Sequence, residues 1–286
     1  AIPIRVGTPM ISELCTFALA TGEVRVVLRH EGGPGGRIEA PNWHPGGHLI
    51  VNASGRLFRV PLASPALEEI PTGSVSGLNN DHGPSPDGRT LAISAKSETG
   101  GSCIYLMPVE GGEPVRVTPR TPSWWHGWSP DGARLAYAAA RGGGPVGVTT
   151  CAVDGSDERP LAPGFDHADG PDYAPDGAWI WFNGERDGSA DLWRVRPDGT
   201  DLERMTEGET VDWFPHPSPD GRHVLFLAYP PGTRGHPADL PVALRLMPQE
   251  GGGSREVLRL RGGQGTINVP CWAPDGGAFA FVRYPA

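Results

Sequence analysis

The sequence predicts an all-β chain closed into a six-bladed β-propeller of four-stranded antiparallel blades. Three observations carry this. A Pro-Asp-Gly turn recurs in Ser85-Pro86-Asp87-Gly88, Ser129-Pro130-Asp131-Gly132, Ala174-Pro175-Asp176-Gly177, Ser218-Pro219-Asp220-Gly221 and Ala273-Pro274-Asp275-Gly276, with His44-Pro45-Gly46-Gly47 a degenerate copy. The turn prolines stand 41, 44, 45, 44 and 55 residues apart, a spacing that marks an array of repeats. Each copy leads into an apolar run such as Arg134-Leu135-Ala136-Tyr137-Ala138. Pro presets φ for the first central turn position, Asp suits the second, and Gly supplies positive φ at the exit, so each copy reads as a β-hairpin turn.

Taken in order, Ser12 to Ala18 and Glu23 to Leu28 are short strands joined at Ala20-Thr21-Gly22. They have no inner hairpin of their own. Gly32-Gly33-Pro34-Gly35-Gly36 is a connector. Five units with four strands each follow, over about 37–73, 77–119, 122–163, 166–208 and 210–260. The chain ends with two strands, Thr266 to Trp272 and Ala278 to Tyr284. The unmatched pairs complete one another: 265–286 supplies the inner half of a sixth blade and 11–29 the outer half, which removes the open ends of the array. The expectation is one propeller domain over 1–286.

Composition narrows the function classes. Gly 42 and Pro 32 fall between β-rich runs and read as turns. A net charge of −9 without a Lys/Arg cluster disfavours nucleic acid and anionic membrane surfaces as partners. No apolar stretch reaches transmembrane length, so no membrane insertion is expected. No secretory apolar region opens the chain and neither does a Met, which leaves cytoplasm and periplasm both open. Cys15, Cys103, Cys151 and Cys271 lie in apolar runs and read as buried free thiols.

The repeat SPDG-x-x-[LV]-[AL]-[YF], with LWRVRPDGTDLERMT in the fourth unit, resembles the propeller repeats of the TolB family over nearly the whole chain. Nothing here corresponds to the N-terminal domain of TolB itself, so a role in the Tol envelope system is not implied. The resemblance implies a protein-interaction scaffold as one function class. Oligogalacturonate lyases are similar propellers that hold a metal with His and Gln. Those residue types occur here without a contiguous motif.

In such a ring the innermost strands line the axis, and the segments leading into them open on the face opposite the Pro-Asp-Gly turns. Six residues before each turn proline stand Glu39, Asn80, Trp124, Asp169, Trp213 and Asn268. A packing position would be apolar in most blades; this one is polar with two indoles. Carboxylates and amides bond hydroxyls, and indole faces stack on sugar rings. Asp81 and Trp125 adjoin the ring, and His236 (in a long loop, Tyr229 to Pro241, with Arg234 and Asp239) and Gln264 stand on its face. Two residues further in, His82 and His126 occupy neighbouring blades where the other blades have proline. They are the candidate catalytic acid and base, ahead of Glu39. With Asp169, or with Asp81, Asp166 or His167, they are also the donor set a divalent ion such as Zn or Mn would take. No other cofactor motif is present. Two residues before each turn, Trp43, Pro84, Trp128, Tyr173, Pro217 and Trp272 read as packing between blades.

The expected function is binding of a small polar, carbohydrate-derived ligand in the axial funnel, with lyase or hydrolase chemistry as its active form. A non-catalytic protein-interaction scaffold is the alternative. An axial channel of ordered water and internally paired polar groups would explain the same ring.

Overall fold

A computed structural model of the chain describes residues 10–32, 36–98 and 100–285, and its regular structure is all β. The middle of the Gly-rich connector, 33–35, lies outside the described residues. The chain opens with the hairpin β1 (Met10–Ala18) and β2 (Val24–Gly32). Blade 1 holds β3 (Glu39–His44), β4 (His48–Ala53), β5 (Arg56–Pro61) and β6 (Glu68–Ile70). Blade 2 holds β7 (Leu78–Pro84), β8 (Thr90–Lys96), β9 (Ser102–Pro108) and β10 (Val115–Arg116). Blade 3 holds β11 (Ser123–Trp128), β12 (Arg134–Ala140), β13 (Val146–Ala152) and β14 (Arg159–Pro160). Blade 4 holds β15 (His167–Tyr173), β16 (Ile180–Arg186), β17 (Ser189–Val195) and β18 (Glu203–Arg204). Blade 5 holds β19 (Val211–Pro217), β20 (His223–Tyr229), β21 (Leu240–Pro248) and β22 (Arg255–Gly262), and β23 (Ala278–Arg283) follows in the sixth.

The two ends of the chain close the ring. β1 pairs antiparallel with β23, from Glu13↔Arg283 to Ala18↔Ala278, and β2 forms the outer edge. Glu13 is buried between two guanidinium groups, 3.1 Å from Arg29 and 2.7 Å from Arg283, and so ties all three strands together. The innermost segment of this blade, 266–272, is irregular. It makes one bridge, Trp272↔Phe279, plus hydrogen bonds from Ala280 N to Cys271 O and from Val282 N to Thr266 O. Asn268 turns its side-chain oxygen back to Gly265 N at 2.6 Å, which diverts the local backbone from a regular ladder.

The Pro-Asp-Gly turns are braced from within. In the turn at Pro130, Ser129 Oγ donates to Asp131 Oδ1 at 2.6 Å, the same oxygen accepts Ala133 N, and Ser129 Oγ accepts Arg134 N. Gly132 takes φ +69°, where a side chain would strain the backbone. The copies at Pro86 and Pro219 repeat this network. In the degenerate copy His44 substitutes for the missing carboxylate: its Nδ1 accepts Gly46 N, and its Nε2 donates to Gly88 O of the next turn.

Between the blades lie apolar clusters. One joins blades 5 and 6 through Phe17, Trp213, Leu225, Leu244 and Phe279. All four cysteines are buried and free, and burial pushes the Cys15 thiol up to about 12. Among the described residues no helix is long and apolar enough to cross a membrane.

Each regularly paired inner strand carries a register shift: Glu39/Asn42, Leu78/His82, Trp125/Gly127, Asp169/Asp172 and Trp213/His216. A bulge breaks the two-residue alternation of side chains. Residues counted back from the turn prolines therefore do not all keep the face that strict alternation assigns them.

Candidate functional site

The segments leading into the inner strands enclose an axial cavity of about 260 Å³. Its wall includes Asn80, Asp81, Trp124, His126, Asp169 and Asn268 from the inner segments, and His236 and Gln264 from blade 5 and the approach to blade 6. Asn79, Val146, His167 and Phe214 complete it.

Asp169 is the centre of its electrostatics. His126 Nε2 lies 2.9 Å from Asp169 Oδ1, and His167 Nε2 and His236 Nε2 lie 3.4 and 4.0 Å from Oδ2. Burial alone would raise the Asp169 carboxyl, but His126 and the other two imidazoles hold it well below the usual carboxylate range. The pair acts reciprocally: burial disfavours a charged His126, yet Asp169 lifts it to about 9. Bonding to Asp169 raises His167 as well. His236 goes the other way, lowered by burial. Its Nδ1 donates to Gln264 Oε1, which leaves the Nε2 lone pair turned toward Asp169 and the cavity. The second carboxyl, Asp81, is pushed up to about 7 by burial and by Asp169, against the pull of His126.

Loop 230–239 is tied down so that His236 reaches this place. Arg37 forms an ion pair with Asp239, Tyr229 Oη donates to Pro237 O at 3.0 Å, and Gln264 N donates to the same oxygen at 3.2 Å. Gly265 beside it takes φ +91°, and a Cβ there would sit 2.3 Å from Tyr284 Oη and 2.8 Å from Glu39 Oε1.

No family model matches the chain. An uncharacterized protein of Agrobacterium fabrum is 45% identical over 280 residues, covering 97% of this chain and 94% of that protein. A solved structure from Agrobacterium tumefaciens, provisionally assigned as TolB, superposes with TM-score 0.93 at 45% identity, covering 97% of this chain and 99% of that one. The chain belongs to the TolB-like β-propeller family. TolB from Acinetobacter baumannii shares the fold at 18% identity and TM-score 0.69, with 92% of this chain and 66% of that one covered. An oligogalacturonate lyase, solved in complex with manganese, shares it at 12% identity and TM-score 0.56, with 88% and 73% covered.

Four of the site residues expected from the sequence of this TolB-like propeller stand elsewhere. His82 is fully buried behind the wall, Nδ1 2.7 Å from Asn42 Oδ1 and Nε2 3.2 Å from Asn52 Oδ1. Burial lowers it to about 3, and with both ring nitrogens engaged by amide groups it does not reach the cavity that His126 lines. Trp213 is 1% exposed and packs in the core, its ring 4.5 Å from that of His236. The bulge after it, with Phe214 at φ +55°, presents Phe214 to the cavity in its place. Trp125 is likewise 1% exposed; it packs over Gly83 and borders the opposite mouth of the channel. Glu39 stands one layer back, hydrogen-bonded to Asn80 and close to Gly265, with its carboxyl raised by burial.

The expected metal set of His82, His126 and Asp169 is not assembled. Among the described residues no group of three or more His, Cys, Asp or Glu has the geometry to hold a metal ion. Asp169 and His126 bond to each other, and His82 is turned away. Phe214 and Asn79 reach the cavity through the bulges at Trp213/His216 and Leu78/His82, and residue type gives no sign of that placement. Arg234 is exposed and does not line the cavity.

Proposed function

We propose that the axial cavity binds a small, hydroxyl-rich, carbohydrate-derived molecule and presents an acid and a base to it. The observation that carries this reading is the convergence on Asp169 of imidazoles from blades 3, 4 and 5, His126, His167 and His236, around one cavity. Its volume of about 260 Å³ lies just under the roughly 300–1,000 Å³ of drug-sized pockets and suits a molecule of single-sugar size. The side-chain amides of Asn79, Asn80, Gln264 and Asn268 provide hydroxyl partners, and Trp124 and Phe214 provide aromatic faces.

Two carboxyl groups pushed in opposite directions divide acid from base work. Asp169 stays ionised and fixes His126 as its cation. Asp81, titrating near neutrality, keeps a proton to give. His236, neutral with Nε2 unprotonated, accepts one. That division suits lyase or hydrolase chemistry at a sugar carbon.

Calorimetric titration with neutral hexoses and hexuronates, followed by product analysis, tests both parts. Binding by the wild type should weaken at least tenfold in Asp169→Asn. Asp81→Asn should keep binding and lose turnover. No heat with any sugar at millimolar concentration would overturn the ligand class. Unchanged turnover in Asp81→Asn would remove Asp81 as the acid, and wild-type binding without any product would leave a binding module.

A further inference from the structure

The opposite mouth of the channel is a second funnel, of about 350 Å³. The residues two before each turn, Trp43, Pro84, Trp128, Tyr173, Pro217 and Trp272, were expected to pack between blades. Tyr173 and Trp272 are buried in the apolar clusters and Trp43 and Trp128 pack against them, and all six also line this funnel, together with the turn prolines themselves. Trp128 and Trp272 direct their Nε1–H groups away to Gly83 O and His216 O, at 3.1 and 2.9 Å. Their ring carbons are thereby left to form the wall.

Two further features point to what such a funnel would hold. Asp172 lines it while almost wholly buried, and its Oδ2 is 3.1 Å from His216 Nδ1. His216 Nε2 donates to Ile267 O, which holds the imidazole ring in place against Asp172. Beyond the prolines, the turns carry Asp87, Asp131, Asp176, Asp220 and Asp275. Bonds from a serine hydroxyl and a backbone N–H hold Asp87 and Asp131 below the usual carboxylate range. The cations at the same turns are Arg89, Arg134 and Arg222; Arg134 is drawn aside to Asp157 and Arg222 lies 3.6 Å from Asp220. Carboxylates therefore outnumber free cations around the mouth.

We propose that this funnel docks a basic peptide segment of a partner protein, with one Arg or Lys side chain entering between Trp43, Trp128, Tyr173 and Trp272. Aromatic faces attract a cation through the ring quadrupole while burying its aliphatic stem. Asp172 accepts from the cationic head, and the surrounding carboxylates favour its approach. The site is separate from the polar cavity and does not depend on the sugar reading.

The test uses the whole chain and two synthetic peptides, acetyl-Pro-Arg-Pro-amide and its neutral citrulline counterpart, followed by tryptophan fluorescence and calorimetry. The arginine peptide should bind with an affinity that falls as salt rises, and at least tenfold more tightly than the citrulline peptide. Trp43→Leu and Asp172→Asn should each weaken it tenfold or more, and Phe214→Ala in the other cavity should leave it unchanged. Should Asp172→Asn fail to fold, the comparison of the two peptides on the wild type still decides. Equal binding of the two peptides, no binding of either, or equal binding of free methylguanidinium would overturn the proposal. So would a sedimentation result in which the wild type is a dimer that dissociates in Trp43→Leu, because the funnel would then receive a second copy of this chain.

Discussion

Replacing Asp81 by Asn should stabilise the protein, and by an amount that depends on pH. Asp81 is 9% exposed, and burial with Asp169 nearby raises it from 3.8 to about 7. Its folded-state pKa lies above its unfolded one, so between those values the native state holds a proton that the unfolded state has released. Stability then falls as pH rises through that window. At about 1.4 kcal/mol per unit, the shift corresponds to a penalty of roughly 4 kcal/mol once pH exceeds 7. The amide carries no such penalty. Urea unfolding at pH 4, 5, 6, 7 and 8 should show the variant level with the wild type at the acid end and ahead by about 1–4 kcal/mol at pH 8. His126, raised from 6.5 to about 9, contributes stability that is present below pH 6.5 and declines above it in wild type and variant alike, so it enters their difference only through its interaction with residue 81. A variant destabilised equally at every pH would refute the reasoning, because Asp81 would then be an ordinary ionised partner of His126.

Trp213→Ala should cost roughly 3–5 kcal/mol of stability, as expected for a large buried aromatic, read as a lower urea midpoint. Phe214→Ala at the cavity wall should instead weaken sugar binding in calorimetry while shifting the midpoint less. His82→Ala should destabilise by leaving Asn42 and Asn52 without their buried partner, about 1–3 kcal/mol, while His82→Gln recovers part of the loss in the same unfolding assay. Glu13→Ala should lower the thermal midpoint and raise light scattering on heating, since Arg29 and Arg283 lose their bridge where the ring closes.

The sequence by itself determined the repeat, the number of blades and the way the ends meet. Pro-Asp-Gly turns are local chemistry: Ser129, Asp131 and Gly132 satisfy one another within six residues whatever surrounds them. The unmatched strand pairs needed only counting, and β1 beside β23 is the result. Which side chains face the axis was a different kind of question. Alternation from the turn prolines assigned Trp213 and His82 inward, but the bulges at Trp213/His216 and Leu78/His82 reset the register. Phe214 thereby reaches the cavity, while His82 is closed in by Asn42 and Asn52 from blade 1. The meeting of His126, His167 and His236 on Asp169 also needed the ring. These residues come from three blades and a loop pinned by an ion pair between Arg37 and Asp239, partners 202 residues apart, and only closure of the propeller brings such distant segments within hydrogen-bonding range.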